Sequence, residues 1–248
     1  MTEFSEIVSG KEKPALLIGN GINPFHDKGS SSWNQLLGKL ARKHGLKFSS
    51  EAVGEMSNTE FFDILDLAKP EKDKSSLQRQ FCDVMGSWEP GDHHKTIVRW
   101  AQRYNKPIIT VNFDENLSKS VNAEFYRQSK GFTDHYPWSS YFSDREIEIV
   151  QSSFAIWHAH GMMRYSRSIR LGLTHYMGSV RHARSRVYGD QGLRSFIKTG
   201  AGSWRGKNSW LEVLFFCPLL IFGFTFGKDE TFLHWLFLER ARPYKHNP

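Results

Sequence analysis

The stretch Pro14-Ala15-Leu16-Leu17-Ile18-Gly19-Asn20-Gly21-Ile22-Asn23 decides the fold. A short apolar run meets a glycine pair. The run has the length of a buried parallel strand, and the glycines end it abruptly. A glycine turn directly after a strand lets backbone N–H groups approach a phosphate closely. A helix starting there would add partial positive charge at the same point. The full dinucleotide fingerprint GxGxxG is not completed, because Pro24 and Phe25 stand where its third glycine would be sought. Taken alone, the stretch reads as a tight turn without a ligand. Pro24 and the run Gly29-Ser30-Ser31-Ser32 predict a mobile loop before a helix that opens at Trp33.

The same order recurs down the chain. Ile108-Ile109-Thr110-Val111 is a β-branched strand that breaks at Asn112-Phe113-Asp114, with a helix over 117–123. Phe154-Ala155-Ile156-Trp157 runs into His158-Ala159-His160-Gly161. Leu219-Leu220-Ile221-Phe222 breaks at Gly223-Phe224-Thr225-Phe226-Gly227-Lys228-Asp229-Glu230, before a helix over 231–240. A further short strand is expected over Leu171–Thr174, with Thr174 capping the next helix. Helical spacing also marks 33–44, 59–68, 75–85 and 93–104. Recurring strand, polar turn and helix units predict an α/β fold: a Rossmann-like, doubly wound parallel sheet with helices on both faces. The expectation is one domain over residues 1–248, holding a helical segment at 45–105 and an aromatic-rich insertion at 124–150.

Composition narrows the class. The chain has 248 residues, enough for one large domain. Its formal net charge of +7 permits an acidic partner, but the basic residues are scattered. The nearest cluster, Arg181 to Arg186, reads as a solvated helix face, so direct nucleic-acid contact has weak support. Two distant cysteines, Cys82 and Cys217, exclude a four-cysteine zinc module and argue against a disulfide framework. A cytoplasmic protein without a signal peptide is expected. Leu211–Phe226 is strongly apolar, but Pro218 interrupts it, so it reads as core rather than as a membrane span.

Ligands of doubly wound sheets bind at the carboxyl ends of strands. Four strand ends carry polar or glycine turns: Gly19–Asn23, Asn112–Asp114, His158–Gly161 and Gly223–Asp229. Each has a plain structural explanation: an Asx turn at Asn112–Asp114, a structural His-x-His-Gly, a helix cap at Asp229. His158 and His160 lack an obvious third metal ligand, so no metal is expected. Their expected convergence on one crevice is the stronger signal.

In this order, GNGIN, TVNFDENL, HAHG and GFTFGKDE resemble the sirtuin family, and most closely the sirtuin-like domains of bacterial anti-phage defence systems. The resemblance spans about residues 14–240. It implies that Gly19, Asn20, Gly21 and Ile22 cradle the NAD pyrophosphate, and that Asn23 also binds the cofactor. It implies that Asn112 holds the ribose and orients the attacking group, that Asp114 contacts the nicotinamide carboxamide, and that His160 is the general base. Gly223, Thr225 and Asp229 would line the adenosine end, and His158 is a neighbour without an implied role. The missing zinc module favours NAD hydrolysis over protein deacylation. The resemblance further implies NAD as substrate, a homo-oligomer, and a separate activating partner such as an ATPase, helicase-like or Argonaute-like chain. A non-catalytic NAD or ADP-ribose sensor is the alternative, and a zinc-free deacylase the third reading.

Overall fold

The computed structural model describes residues 10, 12–26, 33–48, 56–68, 76–127, 133–200, 203–225, 227 and 230–242. The predicted Gly29–Ser32 loop and Asp229 lie outside them. Strand β1 (Ala15–Ile18) pairs in parallel with β2 (Ile108–Thr110) on one side and β6 (Leu219–Phe222) on the other. β2 pairs in parallel with β5 (Ile156–His158). Beyond β5 the sheet turns antiparallel through β4 (Ser140–Ser143) and β3 (Glu124–Arg127), giving the order β3-β4-β5-β2-β1-β6. The fold is α/β, as the repeated units require.

β1 is apolar throughout because both of its faces are covered. Ala15 and Leu17 pack with Ile109, Trp157 and Tyr141 on one face. Leu16 and Ile18 pack with Ile108, Ile156 and Phe142 on the other. The second face carries Val98 and Ala101 of α4 (Asp92–Arg103) and Leu117 of the one-turn α5 (Asn116–Lys119). The first face carries α6 (Leu173–Val187), α7 (Leu193–Thr199), α8 (Trp210–Phe216) and α9 (Thr231–Ala241). The chain therefore leaves β1 over one face and β5 over the other, which opens a crevice at the carboxyl ends between them. A third cluster joins α1 (Trp33–Lys43), α2 (Asn58–Ala68) and α3 (Leu77–Met85), and meets the sheet through Phe113, Ile169 and Leu171.

Two expectations need correction. Leu171–Thr174 is not a strand: α6 begins at Leu173, and Gly172, not Thr174, is its N-cap. The Gly172 amide donates to His175 Nδ1 at 3.1 Å, so a histidine does the capping that a glutamate commonly does. The 117–123 helix stops after Lys119, and Asn122 takes φ 54°. The aromatic-rich insertion supplies β3 and β4 to the sheet, with Tyr126 stacked on Tyr141 and Phe125 against Phe142. The apolar run from Leu211 is a buried helix and a strand, and no helix among the described residues is long and apolar enough to cross a membrane. Arg181 and Arg184 lie exposed on α6, as expected of a solvated face.

Candidate functional site

The four turns end four strands that are neighbours in the sheet and run parallel, in the order β5-β2-β1-β6. Hydrogen bonds tie them together. Gly19 and Gly21 donate their amides to the carbonyls of Phe222 (3.1 Å) and Gly223 (2.8 Å). Asn112 Nδ2 donates to the Gly19 carbonyl at 3.3 Å. His158 Nδ1 donates to the Asn112 carbonyl at 2.8 Å. His160 Nε2 donates to Glu230 Oε2 at 3.0 Å.

The glycines make this closeness possible. A Cβ on Gly19 would sit 2.3 Å from the Gly223 oxygen, and one on Gly161 would sit 2.2 Å from the Ser168 oxygen. Gly161 and Gly223 also have φ of 98° and 63°, where a side chain is strained. Since the Gly19 and Gly21 amides already serve the last turn, the Asn20 amide is the first-turn donor left without a carbonyl among the described residues.

Asp114 is buried at the centre of one branch. Its Oδ1 accepts the Asn116 amide at 3.1 Å, and its Oδ2 accepts Asn23 Nδ2 at 2.7 Å. Asn23 Nδ2 also reaches Asn20 Oδ1 at 2.8 Å. Asn23 Oδ1 meets His94 Nε2 at 3.0 Å, and His94 Nδ1 accepts the Gly91 amide at 3.0 Å. The Gly91 amide fixes the tautomer: Nδ1 is the acceptor, so Nε2 carries the proton and donates to Asn23. One directed chain thus runs from the Gly91 amide through His94 and Asn23 to Asp114. Burial pushes the His94 pKa down to about 4, so the ring is neutral at neutral pH. Burial pushes the Asp114 carboxyl up, and the bonds from Asn116 and Asn23 work against it.

His158 lies behind Asn112, facing Asp114, Glu115 and Arg164. Burial lowers its pKa. With Nδ1–H bound to Asn112, its Nε2 lone pair has no partner. Glu115 is held below the usual carboxylate range by Arg164, which forks onto both its oxygens at 2.7 and 2.8 Å, although burial opposes this. Arg164 also lies over the Phe125 and Phe142 rings.

His160 faces the other way, against Tyr176 and Phe232. Glu230 orients it through Nε2, which leaves Nδ1 unpartnered. It borders a cavity of about 60 Å³, shared with Glu230, Arg170 and Tyr176 and closed by Trp33, Phe81 and Phe113. Asn112 Oδ1 is likewise unpartnered. Three buried acceptors therefore stand at the ends of β2 and β5, each without a donor.

Of the residues singled out in the sequence, Asn112 is bonded to Gly19, Gly21 is bonded to Gly223, and Asn20, Asn23 and Asp114 form a separate side-chain chain. Ile22 packs in the core, where it meets Gly223. His160 bonds to Glu230, whose amide donates to the Gly227 carbonyl of the last turn. Thr225 is exposed, and its carbonyl accepts the Gly227 amide at 2.7 Å. The sequence reading did not single out His94, Glu230 or Arg170. Only His94 has a local signal, the Gly-x-x-His start of α4, which recurs at Gly172–His175.

Among the described residues no group of three or more His, Cys, Asp or Glu is arranged to hold a metal. Burial raises the thiols of Cys82 and Cys217 to about 12 and about 11, so neither is a ready nucleophile. Compared with protein-family models and with curated proteins, the chain matches none.

Proposed function

We propose that this chain hydrolyses the nicotinamide–ribose bond of NAD, as the NAD-depleting effector of a cytoplasmic anti-phage defence system. One observation carries the reading. Asn112, Asp114 and His160 stand at adjacent carboxyl ends of parallel strands, and the unpartnered acceptors there are Asn112 Oδ1, His158 Nε2 and His160 Nδ1. Buried acceptors call for donors. Ribose hydroxyls, a carboxamide NH₂ and a water are donors of the right kind.

In the reaction, water attacks C1′ of the ribose as the C1′–N bond breaks. The bonding pair leaves with nicotinamide, and the water proton passes to His160 Nδ1. Asn112 orients the water and the ribose, and Asp114 holds the carboxamide. Glu230 keeps the imidazole in the tautomer whose Nδ1 is basic. A positioned base of this kind contributes about 10²–10⁴-fold. A homo-oligomer and a separate activating chain belong to the same proposal, because an unrestrained NAD hydrolase is lethal to its cell.

The test is nicotinamide release from NAD by the purified protein, with and without candidate activators, beside His160→Ala. Release that is lost in a folded His160→Ala protein supports the proposal. Undiminished release in that variant overturns the assignment. Saturable NAD binding with no release under any condition replaces it with the sensor.

A further inference from the structure

Outside the crevice, the first turns of α6 leave large apolar side chains in solvent. Leu173 is 58% exposed and Met177 is 64% exposed. They stand one turn apart, and Val180 continues the stripe at the next turn. With Tyr176, and with Thr231 at the start of α9, they line a groove of about 390 Å³. Arg181 and Arg184 line the same groove further along α6. Both are exposed, and neither forms an ion pair with a carboxylate among the described residues. Arg184 lies over the Tyr188 ring at 5.1 Å, a contact that supplies no negative charge. The inward side of α6 does the packing: Ala183 and Val187 share a core cluster with Phe232 and Leu236 of α9. Leu173 and Met177 take no part in that cluster.

We infer that this groove docks an acidic, amphipathic helix of a partner protein chain. Leu173, Met177, Val180 and Arg184 recur at i, i+4, i+7 and i+11, over about 16 Å of helix. That spacing is the one a second helix laid along a groove meets with its own apolar face. An exposed methionine adapts its shape to such a partner. The arginines set the charge, because their guanidinium groups match carboxylates. They also set the direction. At the other end of the stripe Asp63 Oδ2 accepts the Leu173 amide at 3.0 Å, so the partner's carboxylates belong at the Arg181–Arg184 end. A second copy of this chain matches less well, because it brings a formal net charge of +7 toward two cations. A lipid surface is flat, whereas this groove has a wall on α6 and another on α9. The groove adjoins the His160 site from outside: Tyr176 meets His160 edge-on at 5.6 Å, and Thr231 follows Glu230 in the chain. That the partner is the activating chain rests on the function proposed above; the docking does not.

The test needs no NAD, so its failure and the failure of the hydrolase reading are separate results. The probe is a fluorescein-labelled, alanine-based peptide of about five turns, long enough to be helical alone. It carries leucines at i, i+4 and i+7 and glutamates at the end meant for Arg181 and Arg184. One twin replaces the glutamates by lysines, and another replaces the leucines by alanines. Fluorescence anisotropy is read with the full-length wild type, with Met177→Lys and with the double variant Arg181→Glu, Arg184→Glu. These side chains are exposed, so all three proteins are expected to melt within a few degrees of one another. The wild type is expected to bind the glutamate peptide at least tenfold more tightly than either twin. Met177→Lys is expected to weaken it by about ten- to a hundredfold, the worth of burying one large apolar side chain. The double variant is expected to reverse the preference and bind the lysine peptide more tightly. Equal binding of the glutamate and lysine peptides by the wild type, or binding unchanged in Met177→Lys, overturns the inference. A wild type that self-associates in sedimentation and is made monomeric by Met177→Lys gives the groove to a second copy, which also overturns it. So does binding to phosphatidylserine vesicles that Met177→Lys abolishes, since that gives the face to a lipid surface.

Discussion

Glu230 accepts a hydrogen bond from His160 Nε2 at 3.0 Å, across 70 residues of sequence, and so fixes which nitrogen of the ring is free. The carboxylate can only accept, so the proton sits on Nε2 and the lone pair on Nδ1 is left without a partner.

Glu230→Gln therefore tests orientation separately from basicity. The amide can offer Nε2 either an acceptor or a donor, so the tautomer is no longer enforced. We expect kcat for NAD hydrolysis to fall about 10²-fold, at the lower end of what a base contributes, with KM changed far less. Steady-state kinetics beside His160→Ala check this. An unchanged kcat would detach Glu230 from the chemistry.

Gly161 tests the backbone of the same turn. Its φ of 98° and the Ser168 oxygen 2.2 Å from an added Cβ leave no room for alanine. Strain of this kind costs about 1–3 kcal/mol and overpacking a similar amount. Gly161→Ala should lower stability by about 2–5 kcal/mol in urea denaturation, with His160 displaced as a consequence. A stability within 0.5 kcal/mol of wild type, about the scatter of surface substitutions, would show that the turn relaxes freely.

The sheet was legible because β1, β2, β5 and β6 are short apolar runs, each ended by a turn that mixes polar residues with glycine. The crevice followed from their parallel order. β3 and β4 were not legible: Glu124–Arg127 has two exposed charged ends, and Ser140–Ser143 mixes serine with aromatics, so neither reads as an apolar strand. Leu171–Thr174 misled because its leucines mimic a strand, whereas Gly172 and His175 form a helix cap. Of the site, the residues on strand ends were visible. Glu230 and Arg170 were not, because their partners lie 70 and 35 residues away and only folding brings them together. The glycines of the first turn were visible, but their use was not: they make room for the last turn, a relation between two loops that no local pattern records.

Asn23 links Asp114 to His94, and its removal should be felt at both ends. In Asn23→Ala the Asp114 carboxylate loses a 2.7 Å donor, so its pKa should rise above the wild-type value, which burial already raises. His94 Nε2–H is left buried without its acceptor, at a cost of about 1–3 kcal/mol. Carboxyl ¹³C titration and urea denaturation measure the two effects. An Asp114 titration that does not move would mean that Asn23 carries no share of that carboxylate's hydrogen bonding.

His182 sets an acid limit on stability. It stacks on Tyr136 at 4.2 Å and meets Trp138 edge-on at 4.8 Å. Burial lowers its pKa from 6.5 to about 4, helped by Arg186 and Arg170. His94 is lowered to about 4 as well. Below pH 6.5 the unfolded chain takes up protons that these folded histidines refuse, so stability is full above that pH and is lost as pH falls toward 4. Asp114 acts in the opposite sense, because its raised pKa makes the folded state the better proton acceptor there. His182→Phe keeps the aromatic stack and removes one titrating group, so its melting temperature should fall less between pH 6.5 and 4.5 than that of the wild type. Parallel curves for the two proteins would place the acid sensitivity at His94 and His158 instead.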